Sequence, residues 1–512
     1  MNTKCILFVL ISLTAIDRSQ AQTIDPSFGN GGIAETYFGQ YVDSKVHDML
    51  LQPDGKIVVC GTTYVNSYDF MMIRYLENGT LDPSFGESGK AFIDFDNLNN
   101  YGLAYALQAD GKIVVVGHST TPNYESISIA RINADGTVDN SFGENGIIYQ
   151  TTGSYECYGN DVVIQPDGKI LVAGKGIYPP QGEDFFLARY HADGSLDTSF
   201  DGDGKVENIN DLSSGAQPVI TLQNDGKILL SGMGGVAGQQ HYCTMRFLDN
   251  GSLDNTFSDD GIQLTLIPGD YNWPGNIVIQ PDQKIVIAGY SGSWQFEHFS
   301  IIRLDTNGNL DSDFASAGIF THSINQGLDL LNDVLIQPDG KILACGYTIN
   351  PNDGYDFVAM RLNEDGSIDN DFGENGVLNQ TFSFSESRAV AMAIQPDGKL
   401  LIAGDAPDFT NHHTAIARYD AGIPASIPNQ TIRDNDIVIY PNPTSSHIQI
   451  DLTSGSIIDQ LYVYDVQGKL IEITFAKHPS NQFDVSQLQT GIYSIYIVNQ
   501  HGQTFKARFI KE

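Results

Sequence analysis

Trp273 and Trp294 are the two tryptophans of the chain, and Asp270, Phe296 and Glu297 stand close to them in sequence. An exposed aromatic face can stack on a sugar ring while a nearby carboxylate takes hydrogen bonds from its hydroxyls. These five residues are the candidate ligand-binding set. The competing reading is that the rings only cover neighbouring structural units. Tyr41, Tyr64, Tyr68, Tyr101, Tyr155, Tyr158, Tyr271, Tyr347 and Tyr355 fall in the same irregular stretches. Catalytic motifs are sparse: there is no His-Glu-x-x-His, no Gly-x-Ser-x-Gly and no Gly-x-x-x-x-Gly-Lys-Ser/Thr. The 11 histidines are scattered, with His298, His412 and His413 on the irregular stretches but not at metal-ligand spacing. No catalytic residue is assigned, although acidic pairs could still converge in space for glycoside chemistry. The acidic turn Asp193 to Asp197, with Asp201 and Asp203, offers oxygens to a calcium ion. Its spacing is not that of an EF-hand, and turn Asp residues usually bond their own backbone. No cofactor and no metal are expected, with calcium as the alternative.

Those residues are carried by a repeat. Three markers recur seven times, 56 to 58 residues apart. The first is the Asp of Asp-Gly-Lys: Asp54, Asp110, Asp167, Asp225, Asp282 (followed by Gln283 in place of Gly), Asp339 and Asp397. The second is an Arg: Arg74, Arg131, Arg189, Arg246, Arg303, Arg361 and Arg418. The third is a Phe three residues after an Asp, from Phe28 to Phe372. A fixed period this long means one supersecondary unit per repeat. Within a unit, short Val/Ile/Leu/Phe/Tyr runs alternate with Gly, Asp, Asn and Pro, which predicts four strands. In the third unit they are about 160–165, 169–174, 185–190 and 204–209. Four-stranded units in a ring form a β-propeller.

The third marker is out of phase with the others, and this predicts how the ring closes. Arg74/Asp82, Arg131/Asp139, Arg189/Asp197, Arg246/Asp254, Arg303/Asp311 and Arg361/Asp369 pair within units. Arg418 is left over at one end and Asp25 at the other. A closed seven-bladed ring joins them, with a strand at about 32–38 completing the last blade. Each Arg should grip its Asp bidentately, as a structural clamp. Gln283 should give a locally altered turn. The repeated motifs then fall on one face and the irregular loops on the other, which is where binding is usually carried.

The 512 residues hold 27 Lys and Arg against 62 Asp and Glu, a net charge of −35. That argues against nucleic acid or anionic membranes as partners. Residues 1–21 read as a secretory signal peptide, and no other apolar run is long enough to span a membrane. Of the remaining cysteines, Cys60, Cys157, Cys243 and Cys345, the repeat positions are too far apart for disulfides, so buried free thiols are expected.

Repetition ends near Tyr419. Residues 422–433 read as a linker, and 434–512 as a separate domain of about seven short strands, a small Ig-like β-sandwich. There Pro441-Asn442-Pro443, Gly468-Lys469 and Gly491-Ile492-Tyr493 stand in order. With the terminal Phe509-Ile510-Lys511 they resemble the C-terminal sorting domain of the type IX secretion system, type A. The resemblance implies Sec export, outer-membrane translocation in a Bacteroidetes-type bacterium, and tail removal with attachment to surface lipopolysaccharide. The secretion machinery is thus an implied partner. The repeat from about 24 to 421, with Gln-Pro-Asp-Gly-Lys-Ile, Ala-Arg-Tyr and Asp-Gly-Ser-Leu-Asp-Thr-Ser-Phe, resembles the delta-60 repeat. That family is propeller-like and supplies no catalytic residues. The expectation is an exported, ligand-binding propeller (residues 22–421) whose partner is a glycan or a surface protein. The alternatives are a polysaccharide-degrading enzyme using carboxylates on the irregular face, favoured by a central pocket with converging carboxylates, or a structural adhesin.

Overall fold

The structure is a computed structural model. It describes residues 23–39, 42–64, 67–120, 125–151, 156–178, 182–207, 217–236, 239–324, 327–349, 354–382, 386–407 and 412–422 of the repeat region. In the tail it describes 437–440, 447–452, 458–464, 470–471, 482–486, 488, 491–499 and 504–511. The signal segment, the linker from 423, Pro441 to Pro443, Gly468, Lys469, Tyr41 and Tyr155 lie outside the described residues.

Each repeat folds as an antiparallel meander of strands a, b, c and d. Blade 1 is Asp43–Leu51, Ile57–Tyr64, Tyr68–Tyr75 and Lys90–Ile93. Blade 2 is Asn99–Leu107, Ile113–Thr120, Glu125–Ile132 and Ile147–Gln150. Blade 3 is Cys157–Ile164, Ile170–Tyr178, Gly182–Tyr190 and Lys205–Glu207. Blade 4 is Val219–Leu222, Ile228–Val236, Gln239–Phe247 and Ile262–Thr265. Blade 5 is Tyr271–Ile279, Ile285–Ser293, Phe296–Leu304 and Ile319–His322. Blade 6 is Asp329–Ile336, Ile342–Ile349, Tyr355–Leu362 and Val377–Gln380. Blade 7 takes Arg388–Ile394, Leu400–Pro407 and His412–Asp420 from the end of the ring and Ile33–Thr36 from its start.

Closure is antiparallel, with Ile33 opposite Ala417 and Thr36 opposite Thr414. The Asp25 N–H donates to the Arg418 carbonyl at 2.8 Å, as the Asp82 N–H does to Arg74 within blade 1. The N-terminal segment thus takes the place that a following segment takes in every other blade. Strands b and c are apolar on both sides because each blade is packed between two neighbours. Val59, Ile73, Leu401, Ile416 and Phe28, for instance, form one fully buried cluster across the seam between blades 7 and 1. Cys60, Cys243 and Cys345 are free buried thiols in such layers, and Cys157 is buried in strand a of blade 3.

The a–b turns are built alike. In blade 3 the Gln165 N–H donates to Lys169 O at 2.8 Å and Gly168 N–H donates back to Gln165 O at 2.8 Å, with Gly168 at φ +87°. The altered turn expected at Gln283 is not found. Gln283 N–H makes the same bond to Gln280 O at 2.8 Å, and the residue accepts φ +68°. The hairpin's own bonds, between Gln280 and Lys284 and between Gln283 and Gln280, hold the turn, so the backbone of Gln283 carries the strain. A left-handed non-glycine costs about 1–2 kcal/mol, partly offset by the freer unfolded chain of glycine. Gln283→Gly is therefore expected to raise stability by roughly 0.5–1 kcal/mol, read from the urea midpoint. An unchanged or lower midpoint would count against the strain.

The tail forms a three-stranded sheet (Ile437–Tyr440, His447–Leu452, Gln482–Asp484) and a four-stranded one (Ile458–Tyr464, Leu470–Ile471, Gly491–Asn499, Thr504–Lys511). Gly491 opens the central strand of the second sheet, opposite Lys511, and Tyr493 is buried there opposite Phe509. No helix among the described residues is long and apolar enough to cross a membrane.

Candidate functional site

The repeated markers meet on the a–b/c–d face. In six blades the Arg Nε donates to the Asp eight residues on at 2.6–2.8 Å, and Arg418 Nη2 reaches Asp25 at 2.8 Å. The grip is single, not bidentate as expected. The second arm is used elsewhere: Nη1 donates to a backbone carbonyl in the next blade. Arg74 reaches Ala134, Arg131 Ala192, Arg189 Asp249 and Arg246 Thr306. Arg303 reaches Glu364, Arg361 Ala421, and Arg418 returns to Glu77 of blade 1 at 2.7 Å. This hydrogen-bond relay passes round all seven blades. Each guanidinium also lies over the repeated Phe, 4.5–4.7 Å from its centroid.

The turn Lys completes the clamp, as with Lys341 on Asp369 at 2.7 Å and Lys399 on Asp25 at 2.9 Å. Burial alone would raise Asp254. The Thr256 hydroxyl and N–H, with Arg246 and Lys227, outweigh it and hold the carboxyl at about 2. Asp193 Oδ1 accepts the Ser195 N–H and hydroxyl, at 2.9 and 2.7 Å, so that turn bonds itself. Among the described residues no group of three His, Cys, Asp or Glu side chains is placed to hold a metal. On this face the repeated residues bond their own turns and the next blade.

The opposite face surrounds a central cavity of about 360 Å³. Every blade lends it two or more consecutive residues from strand a, or in blade 4 from Val219 and the residues just before it, at or beside a β-bulge in six of the seven. The last of each run stands six residues before the turn Asp. It is Asp48, Asp161, Asn276 and Asp333 in blades 1, 3, 5 and 6, and Ala104, Val219 and Ala391 in the others. Each Asp pins its strand to the next blade. Asp161 Oδ1 accepts the Val162 N–H and Oδ2 accepts the Ile220 N–H, both at 2.7 Å. Asp333 accepts from Val334 and Met392 at 2.8 Å and from Asn276 Nδ2 at 2.6 Å. Burial pushes Asp48 and Asp161 up to about 7 and Asp333 to about 6, and the Asp333 charge adds to both of the first two. Burial, with Lys45, lowers His47 beside Asp48 to about 4.

Sequence reasoning missed these carboxyls. Their signal was available as a polar residue at a fixed place in four repeats and an apolar one in three. A second overlooked position, eight residues after the turn Asp, carries Thr62, His118, Lys175, Met233, Tyr290, Tyr347 and Asp405. Tyr290 and Tyr347 line the cavity, whereas Thr62 donates to Gly102 O of blade 2 at 3.4 Å and Asp405 accepts the Val46 N–H of blade 1 at 2.7 Å.

Trp273, Tyr290 and Tyr347 wall that mouth. Trp273 is half-buried and stacks on Tyr290 at 5.9 Å with the planes 10° apart. Trp294 and Phe296, at the b–c hairpin of blade 5, are 68% and 58% exposed. The two tryptophans share this face, but each pairs with a tyrosine: Trp294 leans on Tyr271 at 6.1 Å. Asp270 is exposed at the entry to the same blade. Glu297 is buried at 7% exposure and its Oε2 has no hydrogen-bond partner, so it is no open sugar acceptor. His412 pairs with Asp43 at 3.1 Å and His413 with Glu35 at 3.2 Å, both across the closing seam.

No curated protein matches the chain. Among solved structures it is similar to a protein of unknown function from Dyadobacter fermentans, 12% identical over 76% of this chain and 98% of that one, at a TM-score of 0.41. It is similar to an ulvan lyase, a polysaccharide lyase, at 14% identity over 76% and 96% of the two chains with a TM-score of 0.43. A virginiamycin B lyase from Staphylococcus aureus matches at 14% over 75% and 98%, with a TM-score of 0.40. Likeness this distant carries no argument about chemistry. The family models are specific. A domain of unknown function (DUF5122) beta-propeller matches residues 52–85, 108–142, 165–200, 223–257, 280–314, 337–372 and 395–422. A secretion system C-terminal sorting domain matches residues 438–512. That domain directs secretion to the cell surface or extracellular space and implies contact with the type IX machinery. The chain is a seven-bladed propeller of DUF5122 repeats that ends in a type IX secretion sorting domain.

Proposed function

We propose that the ring is an exported binding module for an uncharged or amino-bearing glycan, held at the mouth of the central cavity. Residues 1–21 would serve as its Sec leader, and the tail would be removed on attachment to the surface. The observation that carries the glycan reading is the cavity of about 360 Å³ walled at its mouth by Trp273, Tyr290 and Tyr347. That volume lies at the low end for small-molecule sites, about 300–1,000 Å³. Aromatic faces beside polar acceptors suit a sugar ring. The net charge of −35 and the three cavity carboxyls oppose an anionic ligand.

A second reading, a polysaccharide-degrading enzyme, is favoured by those same carboxyls, whose pKa values of about 6 to 7 suit proton transfer. Against it, both oxygens of Asp161 and of Asp333 already accept backbone N–H groups. An acceptor tied into the scaffold is a poor general base. The test is a panel of polysaccharides assayed together for retention of the full chain and release of reducing ends. Retention without release is expected. Trp273→Ala should weaken it by about 2 kcal/mol or more, the loss typical of a central aromatic anchor, or roughly 30-fold. Release of reducing ends, abolished by Asp161→Asn, would establish the enzyme instead. Neither signal would end both readings and leave a protein partner or a structural adhesin.

A further inference from the structure

Two aromatic tracks lie on opposite sides of the ring: the second enters the cavity wall at Trp273 and Tyr290, and the first ends two residues along strand a from the wall residues Leu103 and Asn160. The first crosses blades 1 to 3. Tyr64 and Tyr68 lie 4.8 Å apart, Tyr68 and Tyr101 4.7 Å, Tyr101 and His118 4.5 Å, and His118 and Tyr158 4.8 Å. Successive rings come from different strands and from three blades, so the track exists only in the assembled ring. Its joints are held from behind: the Tyr68 N–H donates to Asn99 Oδ1 at 3.2 Å, and Lys175 lies 5.5 Å over the Tyr158 ring. The second track lies on blade 5, from Trp294 on Tyr271 to Trp273 on Tyr290. Blades 2 and 5 are three blades apart one way and four the other, so a line joining the tracks passes over the cavity mouth. Both tracks run out to exposed b–c hairpins, at Tyr64 (42% exposed) and Trp294 (68% exposed).

We propose that the ligand is an extended, uncharged polysaccharide that lies across the whole face, along both tracks, rather than a single sugar or chain end seated in the cavity. The proposal rests on the glycan reading above. A sugar confined to the mouth would touch Trp273, Tyr290 and Tyr347 and leave Tyr64, Tyr68 and Trp294 without a role. A rigid aromatic side chain loses little entropy when it binds, so a row of them is an economical contact for a long, repetitive chain. Charge selects the class of polymer. Tyr158 donates to Glu156 at 2.9 Å, Thr120 to Glu125 at 2.9 Å, and Lys175 is neutralised by Glu183 at 3.1 Å. The cavity adds Asp48, Asp161 and Asp333. A uronate or sulfated chain would meet these carboxylates along the first track and in the cavity, with Arg388 over Tyr347 at 5.6 Å paired to Glu386 at 3.7 Å, whereas hydroxyl groups would meet acceptors.

The test is calorimetry on the full chain with cello-, xylo-, manno- and laminari-oligosaccharides, from disaccharide to octasaccharide. Affinity is expected to rise with length by roughly tenfold or more. Trp294→Ala and Tyr68→Ala should each remove most of that gain, while Trp273→Ala weakens every length. Tyr64→Ala, at an exposed hairpin end, provides the same readout should Tyr68→Ala disturb folding. Affinity independent of length, or a length gain untouched by these variants, overturns the crossing path and leaves the glycan reading in place. Binding of no sugar overturns both. Binding of a proline-rich peptide, lost in Tyr68→Ala, would assign the first track to a protein partner and overturn the proposal.

Discussion

Arg418→Ala is expected to destabilise the ring by about 3–5 kcal/mol, the usual loss when one partner of a buried ion pair is removed. Arg418 and Asp25 are 5% and 6% exposed. The variant would remove the bonds to Asp25, to Ser27 Oγ at 3.0 Å and to Glu77 O at 2.7 Å, and the contact over Phe28 at 4.7 Å. Asp25 would keep Lys399 and the N–H and hydroxyl of Ser27, so its charge would be only partly compensated. Arg189→Ala removes the matching contacts of blade 3, to Asp197, Ser199 and Phe200 and across to Asp249 of blade 4, and serves as the control. The two should differ in where the structure opens. Blade 3 is continuous in the chain, so its four strands stay tethered to one another. Blade 7 is joined by Ile33–Thr36, a four-residue strand from the far end of the sequence. Amide hydrogen exchange should therefore rise in Ile33–Thr36 and His412–Asp420 for Arg418→Ala and stay local to blade 3 for Arg189→Ala. Equal, delocalised exchange in both variants would count against this segment as the weak closure.

Raising the pH from about 5 to about 8 is expected to lower stability steadily, because of carboxyls whose pKa is raised by folding. Burial, the largest cause for each, lifts Asp48, Asp161 and Asp405 to about 7 and Asp333 to about 6. In the unfolded chain an Asp titrates near 3.9. A raised pKa means that the folded state holds protons that the unfolded state has released. Its contribution is complete below the unfolded value and is lost as the pH climbs through 6 to 7. The clamp carboxyls work with the opposite sign. Asp254 at about 2, with Asp82, Asp311 and Asp369 also lowered, contributes above the unfolded value and fades only in acid. His47 and His118, lowered by burial to about 4, offset part of the fall up to about pH 6.5, and the balance of four raised carboxyls against two histidines keeps the optimum near pH 4 to 5. Urea midpoints across the range would read this directly. A midpoint that is flat or climbs between pH 5 and 8 would mean that the cavity carboxyls stay ionised in the folded ring.

Much of the architecture was legible because a propeller writes its contacts into every repeat. Arg, Asp, Phe and the turn Lys recur together since all four meet at one clamp. The phase offset of Asp25 and Phe28 revealed the closure because strand order in a ring has only one vacancy to fill. Two details escaped. The second arm of each Arg crosses to a neighbouring blade, 60 or 61 positions on in six blades and 341 back for Arg418, to a backbone carbonyl of any residue type. Gln283 keeps the glycine turn because the hairpin bonds of Gln280 with Lys284 and Gln283 hold it, a preference the residue type alone does not reveal.

The candidate site divides the same way. The aromatic content of the irregular face, with Trp273, Trp294 and Phe296 upon it, was readable from which segments break the repeat. By itself the sequence determined the blade count, the closure, the free buried thiols of the inner strands and the secretion tail, since each rests on a local pattern or a fixed period. Only the tertiary structure decided that Glu297 is buried, that Asp48, Asp161 and Asp333 face one cavity, and that rings from three blades join into a track. Those residues are separated by whole repeats, and burial and proximity at the axis arise only once all seven blades are packed around it.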